Sequence, residues 1–295
     1  MCGIVGYIGK REAYPVIVKG LHRLEYRGYD SAGVAIIGKE KGLNVYKCKG
    51  KVSDLEKHIQ GKDLSGSVGI GHTRWATHGE PNDVNAHPHY SQSKDIVLIH
   101  NGIIENYAAI KENLIKRGHT FHSQTDTEVL VHLIEEVKER DKLKLGPAVL
   151  AALKQVVGAY AIVVMDKKNP NEMIAAKKGS PLVIGVGEDD YFIASDASPI
   201  VEYTKNVVYL DDEQVAIIKR NEPLKIRNLK DKEITPSVQE IEMELEAIEK
   251  GGYEHFMLKE IYEQPRSIKD SMRGRLRSDL GVVQLGGIVD YEAKF

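Results

Sequence analysis

Cysteine is almost missing from this chain: Cys2 and Cys48 are the only two among 295 residues. Two thiols cannot build a disulfide framework, and neither a CxxC pair nor an Asn-x-Ser/Thr acceptor occurs. A reducing, cytoplasmic setting is therefore the expectation. No apolar run reaches the roughly 20 residues that a membrane-spanning helix needs, which predicts no membrane partner. The opening lacks the succession of a secretory signal, since Lys10 and Arg11 already follow the first apolar stretch. A net charge of −2 offers no field for nucleic acid. Gly66, Gly69 and Gly71 have the wrong spacing for a dinucleotide fingerprint, and no GxSxG elbow is present. Internal repeats and low-complexity tracts are also lacking.

What is present is ordinary for a soluble globular protein, with 42% hydrophobic and 28% charged residues. The length suits one large domain, or one domain and part of a second. His72, His78, His87, His89 and His100 crowd one segment. None has helical HxxxH spacing and no nearby carboxylate completes a zinc set, so neither a metal nor a cofactor is expected.

Residues 3–9 read as a buried strand closed by Gly9, and a helix is predicted over 14–25 with Pro15 in its first turn. Val34–Ile37 and Leu43–Cys48 read as a hairpin. Ser53 with Glu56, and Thr125 with Glu128, read as capping boxes opening helices. Val68–Arg74 and Ile96–Ile99 read as strands that end in polar loops, and helices are predicted over 106–117 and 147–157. From Ala159 the texture changes to six short strands, with a brief helix at Ser198-Pro199. Strand runs set apart from helix runs predict stacked sheets covered by helices rather than βαβ units. Glu240, Glu242, Glu244, Glu246 and Glu249 predict a solvated connecting helix over 240–250, and residues 253–275 are helical in texture.

If Met1 is removed, Cys2 carries a nucleophilic thiol and a free α-amine that titrates near ~8. An N-terminal residue can then serve as its own base. Met-Cys before an apolar strand is also simply how some chains begin. Arg74, where a strand gives way to a loop, suits bidentate capture of a carboxylate or an ordinary salt bridge. Thr77 and His78 can bind the same ligand or cap the loop. Asn101-Gly102 reads either as a hairpin turn or as an oxyanion hole. Asp126 in the first turn of a helix is favoured by the macrodipole, and equally suits a substrate ammonium. An arginine for a carboxylate and an aspartate for an ammonium together describe an α-amino acid pocket.

Five stretches now stand in one order: Met1-Cys2-Gly3-Ile4-Val5-Gly6, Tyr26–Gly33 (YRGYDSAG), His72–Gly79 (HTRWATHG), His100–Asn106 (HNGIIEN) and Thr125–Glu128 (TDTE). In this the chain resembles the class II glutamine amidotransferases. The resemblance implies an α+β fold, an αββα sandwich of the N-terminal nucleophile type. It implies Cys2 as nucleophile with its own α-amine as base, and Asn101 and Gly102 as oxyanion hole. Arg74, Thr77 and His78 would bind the carboxylate of L-glutamine, and Asp126 with the Gly102 region its ammonium. Residues 74–81 would close over the substrate, and Trp75 would gate an ammonia channel. Residues 179–185 (GSPLVIG), 192–196 (FIASD) and 257–265 (MLKEIYEQP) resemble the branch whose members are homo-oligomers that pass ammonia to fructose 6-phosphate. That branch implies a glutaminase domain over 1–235, an acidic linker over 236–252 and the start of a sugar isomerase domain over 253–295. With the chain ending at Phe295, glutamine hydrolysis without sugar amination is expected. Two alternatives remain at this point: a purine-pathway or asparagine-forming member of the superfamily, and a module that binds glutamine without turning it over.

Overall fold

The computed structural model describes residues 2–38, 42–76, 79–241, 252–272, 276–277 and 281–283. The chain forms two compact units, Met1–Glu242 and Met243–Phe295.

Two antiparallel sheets organise the first unit. One runs, edge to edge, Gln239–Glu240 (β15), Asn206–Tyr209 (β11), Val183–Val186 (β9), Tyr191–Ala194 (β10), Gly3–Ile8 (β1), Val68–Arg74 (β4), Ser31–Ile37 (β2) and Leu43–Lys49 (β3). The other runs Glu233–Ile234 (β14), Lys225–Asn228 (β13), Gln214–Lys219 (β12), Glu172–Lys178 (β8), Gly158–Asp166 (β7), Ile96–Ile104 (β6) and His89–Tyr90 (β5).

Alternation along the strands builds the layers. Ile4 and Ile8 of β1, Val68 and Ile70 of β4, and Val97 and Ile99 of β6 fill the core between the sheets. The intervening Ile96 and Leu98 face the other way, into a second core. That core is completed by helices Tyr107–Lys116 (α3), Asp126–Arg140 (α4) and Leu145–Leu153 (α5). On the far face of the first sheet lies Ala13–Leu24 (α1), which buries Ile17, Leu21 and Leu24. Gly69 and Gly71 of β4 make room for it: a Cβ at Gly71 would stand 2.4 Å from Ile17 Cγ2. These layers are the αββα sandwich expected from the sequence.

Some local readings change. The helix Val52–His58 (α2) starts before Ser53, with Asp54 Oδ2 accepting the Lys51 N–H (3.1 Å). Thr125 does cap α4, accepting the Glu128 N–H (3.4 Å). The Glu128 carboxylate instead takes the N–H groups of His122 (2.9 Å) and Ser123 (2.6 Å), which are nearer donors. Ser198-Pro199 lies in successive turns, pinned by Asp196 Oδ1 on the Ser198 N–H (2.9 Å). The first sheet runs on past residue 235. Glu240 pairs with Asn206, and buried Ile241 donates to Lys205 O (2.8 Å), so the sheet edge takes in the start of the acidic stretch. The connecting helix expected over 240–250 otherwise lies outside the described residues.

In the second unit, Phe256–Met272 (α6) contains Pro265, and Leu276–Arg277 (β16) pairs with Val282–Val283 (β17). Among the described residues, no helix is long and apolar enough to cross a membrane.

Candidate active site

Register, rather than proximity in sequence, assembles the site. β1 and β4 are antiparallel with Gly3 opposite Thr73, so the residue before β1, Cys2, falls beside Arg74. Ser31 of β2 pairs with Arg74 from the other side. Period-two alternation puts Cys2 on the face of Ile4, His72 and Arg74 on the face of Ile70, and Asn101 on the face of Ile99. At this end of the sandwich the inter-sheet surface turns from aliphatic to polar.

Cys2 is half-buried and unpaired. Its Sγ accepts the Trp75 N–H at 3.2 Å, and Trp75 O lies 3.5 Å away. Burial pushes the thiol up; the Trp75 N–H and the Arg74 guanidinium pull it back. Asn101 Nδ2 donates to Cys2 O (3.1 Å), joining the two sheets at Cys2. Asn101-Gly102 is not a hairpin turn, because β6 runs on through it, paired with β7 as far as Ile104. Gly102 is required twice over: its φ is +135°, and a Cβ would stand 2.1 Å from Ala159 O.

Arg74 is 4% exposed and its Nη2 donates to Gly79 O (3.3 Å). Burial lowers its affinity for a proton, and Cys2, Asp126 and Asp30 offset only part of that. The Arg74 guanidinium and the Asp126 carboxylate lie close enough to interact electrostatically. Asp126 is the first residue of α4; its Oδ2 accepts the Ile104 N–H (2.7 Å) at the end of β6. Trp75 is 47% exposed and meets Tyr29 edge-on, ring centres 5.9 Å apart. Thr77 and His78 lie outside the described residues.

Several contributors were not singled out from sequence. Asp30 Oδ2 takes the Ala76 N–H (2.8 Å), and buried Asn85 ties Glu80 O (3.0 Å) to Gln124 (3.1 Å). His72, His87, His89 and His100 form a buried cluster. His87 and His100 share Thr127 Oγ1 at 2.8 and 3.0 Å, and His89 meets Thr125 Oγ1 at 3.1 Å. Burial lowers the affinity of all four for protons. His72 was visible in principle, being two residues before Arg74 on the same strand face. Among the described residues, no group of three or more His, Cys, Asp or Glu could hold a metal ion.

Residues 57–242 match the profile of the glutamine amidotransferase domain. The chain is 60% identical over 294 residues to a glutamine–fructose-6-phosphate aminotransferase (isomerizing) from Bacteroides thetaiotaomicron, covering 100% of this chain and 48% of that protein. It is 54% identical over 295 residues to the protein of the same name from Chlorobaculum tepidum, with 99% and 48% covered. It therefore spans about half the length of these curated relatives. The solved B. subtilis glutamine phosphoribosylpyrophosphate amidotransferase matches with a TM-score of 0.66 at 30% identity, over 77% of this chain and 49% of that one. A structure described as the allosteric regulatory enzyme of purine biosynthesis matches at 0.67 and 30% over the same shares. The chain belongs to the glutamine amidotransferase domain family.

Proposed function

We propose that the chain hydrolyses L-glutamine by attack of the Cys2 thiolate on the side-chain amide carbon. The observation that carries this reading is the meeting of Cys2, Arg74 and Asn101 at the polar end of the inter-sheet face. Burial disfavours the thiolate in the resting site. A base at the sulfur is therefore needed, and the α-amine of Cys2, freed by loss of Met1, supplies one on the same residue. Its proton passes to the departing nitrogen, ammonia leaves and a γ-glutamyl thioester remains. Water then cleaves the thioester, giving glutamate and restoring the thiol. Asn101 Nδ2 and the Gly102 N–H stabilise the oxyanion, a charge present only in the transition state. Arg74, Thr77 and His78 hold the substrate carboxylate, while Asp126 with the Gly102 region holds its ammonium.

The names of the relatives support a further step. In a protein carrying the remaining half of their length, ammonia passes Trp75 to fructose 6-phosphate and an amino sugar phosphate forms. For residues 1–295 alone, glutamine hydrolysis without sugar amination is the expected activity. The two unpaired thiols fit a reducing compartment such as the cytoplasm.

Glutamate and ammonia release by the chain lacking Met1 tests the proposal, beside Cys2→Ala and a form retaining Met1. Both controls should be inactive. Equal release from all three proteins would leave Cys2 without a role.

A further inference from the structure

Asn101 can serve as an oxyanion donor only if its amide is the right way round, and an amide has two orientations of nearly equal shape. Its Nδ2 lies 3.1 Å from Cys2 O, and its Oδ1 lies 2.9 Å from His72 Nε2. Turned over, the amide would set an oxygen against the Cys2 carbonyl and remove the N–H donors from the nucleophile. Something must therefore forbid the turn.

His72 does so through its tautomer. Nε2 also lies 3.1 Å from His100 O, a backbone carbonyl that can only accept, so Nε2 carries the hydrogen. The ring is fully buried, and that burial pulls its pKa down to about 3. Arg74 on the same strand and His100 on β6 further oppose protonation. The ring is consequently neutral at physiological pH, with its single proton on Nε2. Nδ1 makes no hydrogen bond, and the ring packs against His87 with centres 4.2 Å apart. One N–H thus faces two acceptors, His100 O and Asn101 Oδ1, and the Asn101 oxygen is held inward.

We propose that His72 is a positioning residue for glutamine hydrolysis, whose Nε2–H fixes the Asn101 amide with its NH2 turned toward Cys2. This rests on the reading of Asn101 as an oxyanion donor. The substrate-holding residues Arg74 and Asp126 bond elsewhere, so loss of His72 should slow the chemistry more than it weakens binding. Gln can place an amide N–H close to the position of Nε2, whereas Leu cannot.

The test is steady-state glutaminase kinetics on the chain lacking Met1, with His72→Leu, His72→Gln, Asn101→Ala and the double variant His72→Leu/Asn101→Ala. His72→Leu should lower kcat by about 10- to 100-fold, at or below the roughly 100- to 1,000-fold cost of removing one oxyanion donor outright, with KM changed less than about threefold. His72→Gln should recover most of that loss. In the Asn101→Ala background, His72→Leu should change kcat less than about threefold, because no amide remains to be oriented. Equal loss in both backgrounds would make His72 a merely structural residue and overturn the proposal. Full activity of Asn101→Ala would instead overturn the oxyanion reading. Should His72→Leu not fold, 15N NMR of the ring in the unaltered protein decides: a protonated Nε2 and bare Nδ1 between pH 6 and 8 support the proposal. The opposite tautomer, or a ring that titrates there, overturns it.

Discussion

The Asp30 carboxylate accepts the Ala76 N–H at 2.8 Å while the Asp30 N–H donates to Arg74 O at 3.0 Å. These two bonds fasten the backbone on both sides of Trp75, whose N–H rests on the Cys2 sulfur at 3.2 Å. Removing the carboxylate with Asp30→Ala should free that peptide. The loss is expected to be about 1.5–3 kcal/mol, the range for a hydrogen bond to a charged group. Cys2 alkylation by iodoacetamide should slow, and Asp30→Asn, which keeps an acceptor, should lose less. Unchanged alkylation in Asp30→Ala would show that Trp75 is held by other means.

Gly28 has extended backbone, yet a Cβ there would stand 2.9 Å from both Arg74 C and Trp75 N. These are backbone atoms of the site and cannot swing aside. Gly28→Ala should cost about 1–3 kcal/mol of stability, as overpacking does, and should lower glutaminase activity. Gly42→Ala, where the added carbon meets nothing within 4 Å, is the control. Urea unfolding of the two variants checks the difference.

The buried histidines give stability a defined dependence on acid. His72 is pulled down to about 3 and His132 to about 4, while burial also lowers His87, His89 and His100. Each binds a proton more readily when unfolded, so stability is complete above the unfolded pKa of about 6.5 and falls as pH drops below it. Each neutral histidine contributes a slope of up to about 1.4 kcal/mol per pH unit in that window. Urea midpoints should be level from pH 7 to 8 and decline steeply from 6.5 toward 4. A flat profile down to pH 5 would mean that the cluster is hydrated.

Lys47 has the same sign in an alkaline window. Its Nζ donates to Val84 O (3.1 Å) and Ala86 O (2.7 Å), and burial pulls its pKa down to about 8. Between about 8 and the unfolded value near 10.4 the unfolded chain holds more proton, so this residue makes stability rise with pH. Lys47→Met should flatten that rise, read from urea midpoints at pH 8 and 10.

Much of this was legible in residues. Runs of strands set apart from runs of helices pointed to stacked sheets covered by helices, and β4 was read with the bounds it has. The five motifs named Cys2, Arg74, Asn101 and Asp126 before any register was known. What eluded the sequence is what depends on pairing. Asn-Gly looks like a turn to any local rule, and only the β6–β7 ladder keeps it in a strand. Glu128 looked like a capping residue until the 122–123 loop offered it closer N–H groups. The crowded imidazoles read only as an incomplete metal set, since the groups that orient them, Asn101, Thr125 and Thr127, come from other elements of the fold.

The most direct measurement is the intact mass of the chain before and after incubation with a diazoketone mimic of glutamine, followed by peptide mapping. The expected result is a single adduct on Cys2, formed only on chains that have lost Met1 and blocked by excess glutamine. Labelling of Cys48, or equal labelling of Cys2→Ala, would contradict an N-terminal thiol as the nucleophile.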